Sequence, residues 1–205
     1  HYNRSTVGQE LYFSNIPFMD SISFSFLLFA SYCVALLLLL PIRPGSDADT
    51  TPRLPILQFD LPLRTSWPVF ALTVLFFAFI DMVIDPVALR GDRWFLGKIY
   101  YYPDPGVHFG VPMANYVGWA VVGAISLLIY FPLDRRLQHP LPDHRPSTTH
   151  RLLLGGGLYY GVLAFNLAMT FWIGETLQGT TGLLMYVPVT AILLLRLLTP
   201  ATQSA

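Results

Sequence analysis

The chain has 205 residues, of which 54% are hydrophobic and only 12% are charged, and its mean hydropathy is +0.53. Soluble globular chains carry roughly 25% charged residues, so this composition excludes an ordinary soluble domain and indicates an integral membrane protein. The net charge is zero, which excludes the basic footprint of a nucleic-acid-binding protein. The single cysteine, Cys33, lies in an apolar run, which excludes an intrachain disulfide and a paired-cysteine metal site.

Five segments hold the roughly 20 apolar residues that are needed to cross the hydrocarbon core of a bilayer. They predict membrane-spanning helices over residues 21–40, 67–89, 114–132, 152–173 and 183–198. The predicted fold class is therefore all-α, a polytopic transmembrane helix bundle of about five spans that forms a single integral membrane domain over residues 1–205. The connection at residues 174–182 is predicted to be a tight turn. No cationic leader precedes the first span, and because the chain begins at His1, further residues are expected upstream.

The distribution of lysine and arginine predicts how the bundle is oriented in the membrane. Four of these residues fall on the side that holds the N-terminal segment and the second and fourth loops: Arg4, Arg90, Arg93 and Lys98. Eight fall on the opposite side: Arg43, Arg53, Arg64, Arg135, Arg136, Arg145, Arg151 and Arg196. The second side is therefore predicted to be cytoplasmic, and the protein is expected in the cell (inner) membrane.

Polar residues in or beside the predicted spans gather at one end of the bundle. They are Asp20, Asp81, Asp85, His108, Asn115, Asn166 and Glu175. With antiparallel spans, all of them fall at the non-cytoplasmic face. A carboxylate in the hydrocarbon region costs at least about 2.5 kcal/mol, and such groups usually face the bundle interior and mark a functional site. The pattern therefore predicts a polar site at this face.

Asp81 and Asp85 are four residues apart, so they share one face of the second predicted span. Two neighbouring carboxyl groups in a dry site cannot both ionise cheaply, so one is expected to keep its proton at neutral pH. That is how a protein keeps an acid ready for proton transfer. The alternative is that both are solvated at the interface or paired with Arg90 and Arg93. Pro86 predicts a disturbed helix at this point.

Residues 90–119 are dense in aromatic side chains. These are Trp94, Phe95, Tyr100, Tyr101, Tyr102, Phe109, Tyr116 and Trp119. An interfacial aromatic belt is the default interpretation, and docking of a flat, apolar ligand is the alternative. The glycines at 155–157 lie inside an apolar span, where close helix packing is favoured over a phosphate-binding loop. For Glu175, a simple interfacial helix cap stays open beside a functional role.

Two motifs resemble a known family. D-x-x-x-D-P-V-A begins at Asp81, and G-V-P-x-x-N-Y-x-G-W begins at Gly110. Together with Tyr101-Tyr102 they resemble the membrane proteins of carotenoid biosynthesis that include carotenoid 1,2-hydratases and bisanhydrobacterioruberin hydratase. The resemblance covers essentially the whole chain, and it implies further helices upstream of His1.

The resemblance implies addition of water to the terminal C1–C2 double bond of an acyclic carotene such as lycopene, by protonation to a tertiary carbocation. The implied partners are this substrate and membrane lipid, with no nucleic acid, and no metal or other cofactor is implied. The candidate catalytic residues are Asp81, Asp85, Glu175 and Asp20. The candidate substrate-binding residues are Asn115, His108, Trp94, Tyr116, Trp119 and Asn166.

Two other functions stay open at this point. A non-catalytic carotenoid-binding or structural subunit of a larger membrane complex, perhaps a photosynthetic one, would keep the fold and a groove for the polyene but would need no acid. A small transporter would use the carboxyl groups as a proton relay. It predicts a water-filled path, whereas the cytoplasmic halves of the predicted spans are almost wholly apolar.

Overall fold

A computed structural model describes residues 12–13, 16–43, 56–57, 61–137 and 146–198 of the chain, with side chains over 22–41, 62–137 and 149–198. Five long helices dominate it, each apolar and long enough to cross a membrane. They are α1 (Phe18–Leu39), α3 (Trp67–Ala88), α4 (Met113–Leu137), α5 (Pro146–Trp172) and α6 (Thr176–Leu198). The predicted all-helical membrane fold is confirmed.

The remaining described elements are short. A single helical turn, α2 (Leu61–Arg64), precedes α3, and a 3-10 turn (Gly91–Arg93) follows it. Two antiparallel pairs of two-residue strands flank α1: β1 (Tyr12–Phe13) with β2 (Ile16–Pro17), and β3 (Ile42–Arg43) with β4 (Ile56–Leu57).

Three of the helices, α4, α5 and α6, are at least five residues longer than the sequence predicts. Pro132 lies inside α4, which continues to Leu137, because a proline in a membrane helix is tolerated where neighbouring groups compensate for the lost hydrogen bond. α5 begins earlier than expected, at Pro146. The turn predicted at residues 174–182 is wrong, because α6 already begins at Thr176.

The true turn between α5 and α6 is set by Gly174. Its φ of 81° lies in the left-handed region, which glycine adopts without strain. Its N–H donates to the carbonyl of Phe171, and the N–H of Glu175 donates to that of Thr170. This is a Schellman motif, which satisfies the last carbonyls of a helix in a very short span. It leaves Glu175 directly before the first turn of α6.

α3 lies at the centre of the bundle, with packing contacts to all four of the other long helices. Phe76, Phe77, Ile80 and Val83 form its buried apolar face. On the far side of α1, α5 approaches closely through Gly155, where an added Cβ would lie 2.4 Å from the sulfur of Cys33. Gly155 and Gly156 of the glycine run therefore serve helix packing, as predicted, whereas Gly157 faces open space.

Residues 89–112 fold back over the C-terminal end of α3. Arg90 Nη1 donates to the carbonyl of Pro86, and Trp94 Nε1 donates to that of Val87 at 3.1 Å. His108 Nε2 lies 3.0 Å from the carbonyl oxygen of Met82. Because Pro86 has no N–H, it cannot provide the i to i−4 bond to that oxygen, and His108 takes its place. α3 therefore continues through Pro86 to Ala88, with its freed carbonyl groups capped by this connection.

Candidate functional site

Two carboxyl groups lie side by side at the buried face of α3. Asp81 has none of its surface exposed and Asp85 has 8% exposed. Asn115, in the first turn of α4, donates from Nδ2 to Asp81 Oδ2 at 2.6 Å and to Asp85 Oδ2 at 2.7 Å. The amide nitrogen has two hydrogens, so it can serve both carboxyl groups at once. Asn115 therefore bridges the pair that the sequence placed on one helix face.

Two tyrosines of the connection complete the surroundings of Asp85. Tyr100 OH donates to Asp85 Oδ1 at 2.7 Å, and Tyr102 OH donates to Asp85 Oδ2 at 2.9 Å. The two residues are two apart in the chain, and both side chains reach the same carboxyl group. Burial, followed by the neighbouring Asp85, raises the pKa of both tyrosines above their ordinary value. Each phenol therefore keeps its proton and acts as a donor.

Tyr100 and Tyr102 are residues of the site that the sequence analysis did not single out, because its default interpretation of them was an aromatic belt, with docking of a flat ligand as the alternative. The signal that was available is their alternate spacing, close in sequence to a pair of buried carboxyl groups. Their partner could not be read from the sequence, because residues 86–99 between Asp85 and Tyr100 first turn the chain back on itself.

Two buried polar atoms at this site, one of them in the carboxyl pair itself, have no hydrogen-bond partner within the described part of the chain. They are Asp81 Oδ1 and Tyr116 OH. An unpartnered buried polar group costs roughly 1–3 kcal/mol, and more when it is charged. The Asp81 position is therefore costly for a carboxylate.

A cavity of about 550 Å³ opens in front of Asp85. Its polar end is formed by Asp85, Tyr100, Tyr102 and Asn115. The rest is mainly apolar and comes from α1, α3, α4, α5 and the connection after α3, with Phe24, Leu27, Ile84, Leu96, Trp119 and Asn166 among the lining residues. Asp81, beside Asp85, does not line this cavity. Among the described side chains, the cavity therefore presents one carboxyl group, that of Asp85, to whatever enters it.

Of the candidate substrate-binding residues, Asn115, Trp119 and Asn166 line this cavity. The others have structural contacts nearby. Trp94 caps the carbonyl of Val87, His108 caps that of Met82, and Tyr116 packs edge-on against His108, with ring centroids 5.6 Å apart. These contacts join the connection to α3 and α4, and none of the three side chains lines the cavity.

The remaining acidic candidates lie elsewhere. Glu175 accepts a hydrogen bond from Arg93 and lies 3.1 Å from Arg90 Nε. Burial alone would raise the pKa of Glu175, but the two arginines outweigh it and hold the pKa below its usual value. Glu175, and not the aspartate pair, is therefore the group that these arginines bind. The side chain of Asp20 lies outside the described residues.

Among the side chains that the structure describes, no three or more His, Cys, Asp or Glu residues gather as a metal-binding group. What the site offers is a carboxyl pair, a bridging amide and two phenols at the end of an apolar cavity. This arrangement can transfer a proton to an apolar ligand.

The comparisons with known proteins point to one family. Residues 1–189 match the family described as carotenoid biosynthesis protein. The bisanhydrobacterioruberin hydratase of Haloarcula japonica is 29% identical over 189 residues, which cover 88% of this chain and 53% of the relative. The chain thus spans about half the length of this curated relative, and no solved structure matches it. The chain belongs to the carotenoid biosynthesis protein family.

Proposed function

We propose that this chain carries the acid site of a carotenoid hydratase, which adds water to the terminal C1–C2 double bond of an acyclic carotene. One observation carries the proposal: Asp85 stands at the end of a largely apolar cavity with Asp81 beside it and Asn115 bridging the two. The name of the Haloarcula relative supports the same reaction class. A purely structural pigment site would have no need of two buried carboxyl groups.

The reaction begins with protonation of an unactivated alkene, which requires a strong acid in a dry site. Two adjacent buried carboxyl groups cannot both carry charge cheaply, so the pair holds at least one proton. Asp85 delivers it, because Asp85 is the member of the pair that lines the cavity. As the proton leaves, Tyr100, Tyr102 and Asn115 stabilise the carboxylate that forms. Such hydrogen bonds to the charged form are what strengthen an acid.

The proton adds to C2 and leaves a tertiary cation at C1. The rings of Trp119 and Phe24 line the same cavity, and their faces can stabilise the developing positive charge. The oxygen of a water molecule then bonds to C1, and one of its protons returns to the Asp85 carboxylate. The net change is addition of one water molecule and regeneration of the acid.

Asn166 is the residue best placed to orient the water. Its Nδ2 donates to the carbonyl of Val162 at 2.9 Å, which fixes the side chain and directs the amide oxygen to act as an acceptor. Asn166 lies on α5, across the cavity from the carboxyl pair on α3. A water bound there shares the cavity with Asp85, so that it can bond to C1 and return one proton to the Asp85 carboxylate.

The test is product analysis in a lycopene-producing host that expresses the full-length protein. Wild type is expected to form a tertiary carotene alcohol. Asp85→Asn should abolish the product, and Asp81→Asn should lower it strongly because the pair then no longer shares a proton. Asp92→Asn, an exposed acid in the adjoining 3-10 turn, is the matched control and should keep activity. Unchanged lycopene with well-expressed wild type would instead support the pigment-binding subunit.

A further inference from the structure

A second cavity lies between α1 and α4. Its volume is about 300 Å³, and it is lined mainly by apolar side chains of these two helices, with Phe77 of α3 as part of its lining. Leu28 and Tyr32 contribute from α1, and Val122 and Tyr130 from α4. The proposed hydration chemistry does not use this cavity.

The helix packing explains why the cavity exists. α1 and α4 both pack along α3. Gly123 lets α4 approach closely, because an added Cβ there would lie 2.8 Å from Phe77. The aromatic side chains of α3 thus support both helices from one side and leave a channel between α1 and α4, which we call the α1–α4 groove.

The α1–α4 groove adjoins the cavity in front of Asp85, which we call the acid cavity. Phe24 lines both of them. Its ring stacks on Trp119, with centroids 4.2 Å apart and planes inclined by 18°. A ligand that extends from Asp85 into the groove therefore passes these two flat rings. Flat rings suit a rigid, planar polyene better than a flexible acyl chain.

The combined length fits an extended ligand. From Asn115, beside the acids, to Tyr130, at the far end of the groove, α4 rises about 22 Å at roughly 1.5 Å per residue. That is about three-quarters of the roughly 30 Å thickness of the hydrocarbon core. Ser126, within the groove, uses its hydroxyl internally, since Oγ donates to the carbonyl of Val122 at 2.8 Å. Its hydroxyl hydrogen is thus directed away from the groove.

We propose that the α1–α4 groove holds the polyene body of the carotene while its end group lies in front of Asp85. The inference rests on the proposed hydration reaction for the end group and adds where the rest of the substrate lies. The groove then selects long, extended isoprenoids over short ones, and it admits them sideways from the bilayer.

The neighbouring residues Val121 and Val122 provide a matched pair for the test. Both are valines on α4 with similar exposure, 49% and 44%, but of the two it is Val122 that lines the groove. The full-length variants Val122→Trp and Val121→Trp are purified from lycopene-producing cells. Bound lycopene is measured by its absorption relative to protein. Hydration is measured with lycopene and with geranylacetone, a short isoprenoid that ends in the same dimethylalkene.

Val122→Trp is expected to lose bound lycopene and lycopene hydration by at least about tenfold, while geranylacetone is still hydrated. Val121→Trp should behave as wild type with both. Equal lycopene binding by the two variants would overturn the groove proposal. Loss of hydration of both lycopene and geranylacetone in Val122→Trp would also overturn it. If wild type binds lycopene in the groove but hydrates neither substrate, the proposed hydratase activity is wrong and the groove proposal is supported. Wild type that purifies with lipid, and with neither lycopene nor its hydrated product, would overturn the groove proposal.

Discussion

At the scale of single residues, Asp85 differs from Asp81 in its access and in its partners. Asp85 faces the cavity and accepts hydrogen bonds from Tyr100, Tyr102 and Asn115, whereas Asp81 is fully buried and accepts one from Asn115. The sequence identified the two carboxyl groups as a pair but could not rank them. Their ranking depends on a connection that returns to the end of α3 some fifteen residues later. The different roles of two chemically identical groups follow from their surroundings.

In the proposed reaction, removal of a phenol that stabilises the Asp85 carboxylate should slow protonation of the substrate. Tyr100→Phe and Tyr102→Phe each delete a hydrogen bond to a charged group, worth about 1.5–3 kcal/mol, so kcat should fall by roughly 10- to 100-fold with little change in KM. Steady-state kinetics of the purified full-length protein measure this split. Tyr101→Phe, the exposed neighbour between them, is the control. A change in KM alone would argue that the two phenols only bind substrate.

At the scale of elements, the connection after α3 both caps that helix and completes the site. Pro86 removes a backbone donor, and His108 restores a partner for the carbonyl of Met82 at 3.0 Å. Tyr100 and Tyr102 are carried on the same connection, so the capping contacts also fix their distance to Asp85. The sequence predicted a disturbed helix at Pro86, but it could not show that a histidine twenty-two residues later repairs the disturbance.

This repair predicts a specific mutational coupling. His108→Leu leaves the Met82 carbonyl unpaired and should lower the free energy of unfolding by about 1–3 kcal/mol. In the Pro86→Ala background the restored backbone N–H can bond to that carbonyl, so the same histidine substitution should cost much less. A double-mutant cycle of thermal unfolding in detergent measures the coupling. Additive effects of the two substitutions would contradict the capping role.

A second link between elements is the ion pair of Glu175 with Arg90 and Arg93, which ties the α5–α6 turn to the connection after α3. The arginines hold the Glu175 pKa below its ordinary value of 4.5. The stabilisation is therefore fully present above that ordinary pKa and is lost as the pH falls through the lower, folded-state value. It is modest, at most about 1 kcal/mol, because the pair is partly exposed.

The ion pair predicts a pH-dependent difference in Tm between wild type and Glu175→Gln. Wild type should have the higher Tm at neutral pH, and its advantage should disappear as the pH is lowered below 4.5. Thermal unfolding at a series of pH values measures it. Glu175→Gln should also keep hydratase activity, because Glu175 does not line the cavity. A strong loss of activity with unchanged Tm would indicate that Glu175 has a catalytic role.

At the scale of the whole molecule, the two ends of the bundle differ in chemistry. The acid site lies at the end of α3, and the opposite end is closed by basic residues. Arg64 pairs with Asp134 through two contacts of 2.8 Å, and Arg135 donates to Thr65. Arg196 reaches the last carbonyls of α1, including that of Leu37 at 3.0 Å. This distribution of arginines fits an orientation in which the basic end of the bundle faces the cytoplasm.

The orientation can be tested by labelling because the native Cys33 is buried, with 1% of its surface exposed. Val107→Cys, in the connection at the acid end and 90% exposed, should react in intact cells with a membrane-impermeant maleimide. Leu137→Cys, at the basic end and 64% exposed, should react only after the cells are permeabilised. The reverse pattern would place the acid site on the cytoplasmic side.

The sequence by itself determined the membrane class, the five spans, the family and the position of the aspartate pair on one helix face. The family follows from the resemblance of two motifs, and the other features follow from composition and from the helix period, which makes contacts between residues a few positions apart predictable. Only the tertiary structure decided that Asn115 bridges the pair, that two tyrosines hold Asp85 and that Arg90 and Arg93 bind Glu175 instead. These contacts join separate elements, and their partners are set by how the connection after α3 folds back. The division of the chain into a single domain stays a prediction.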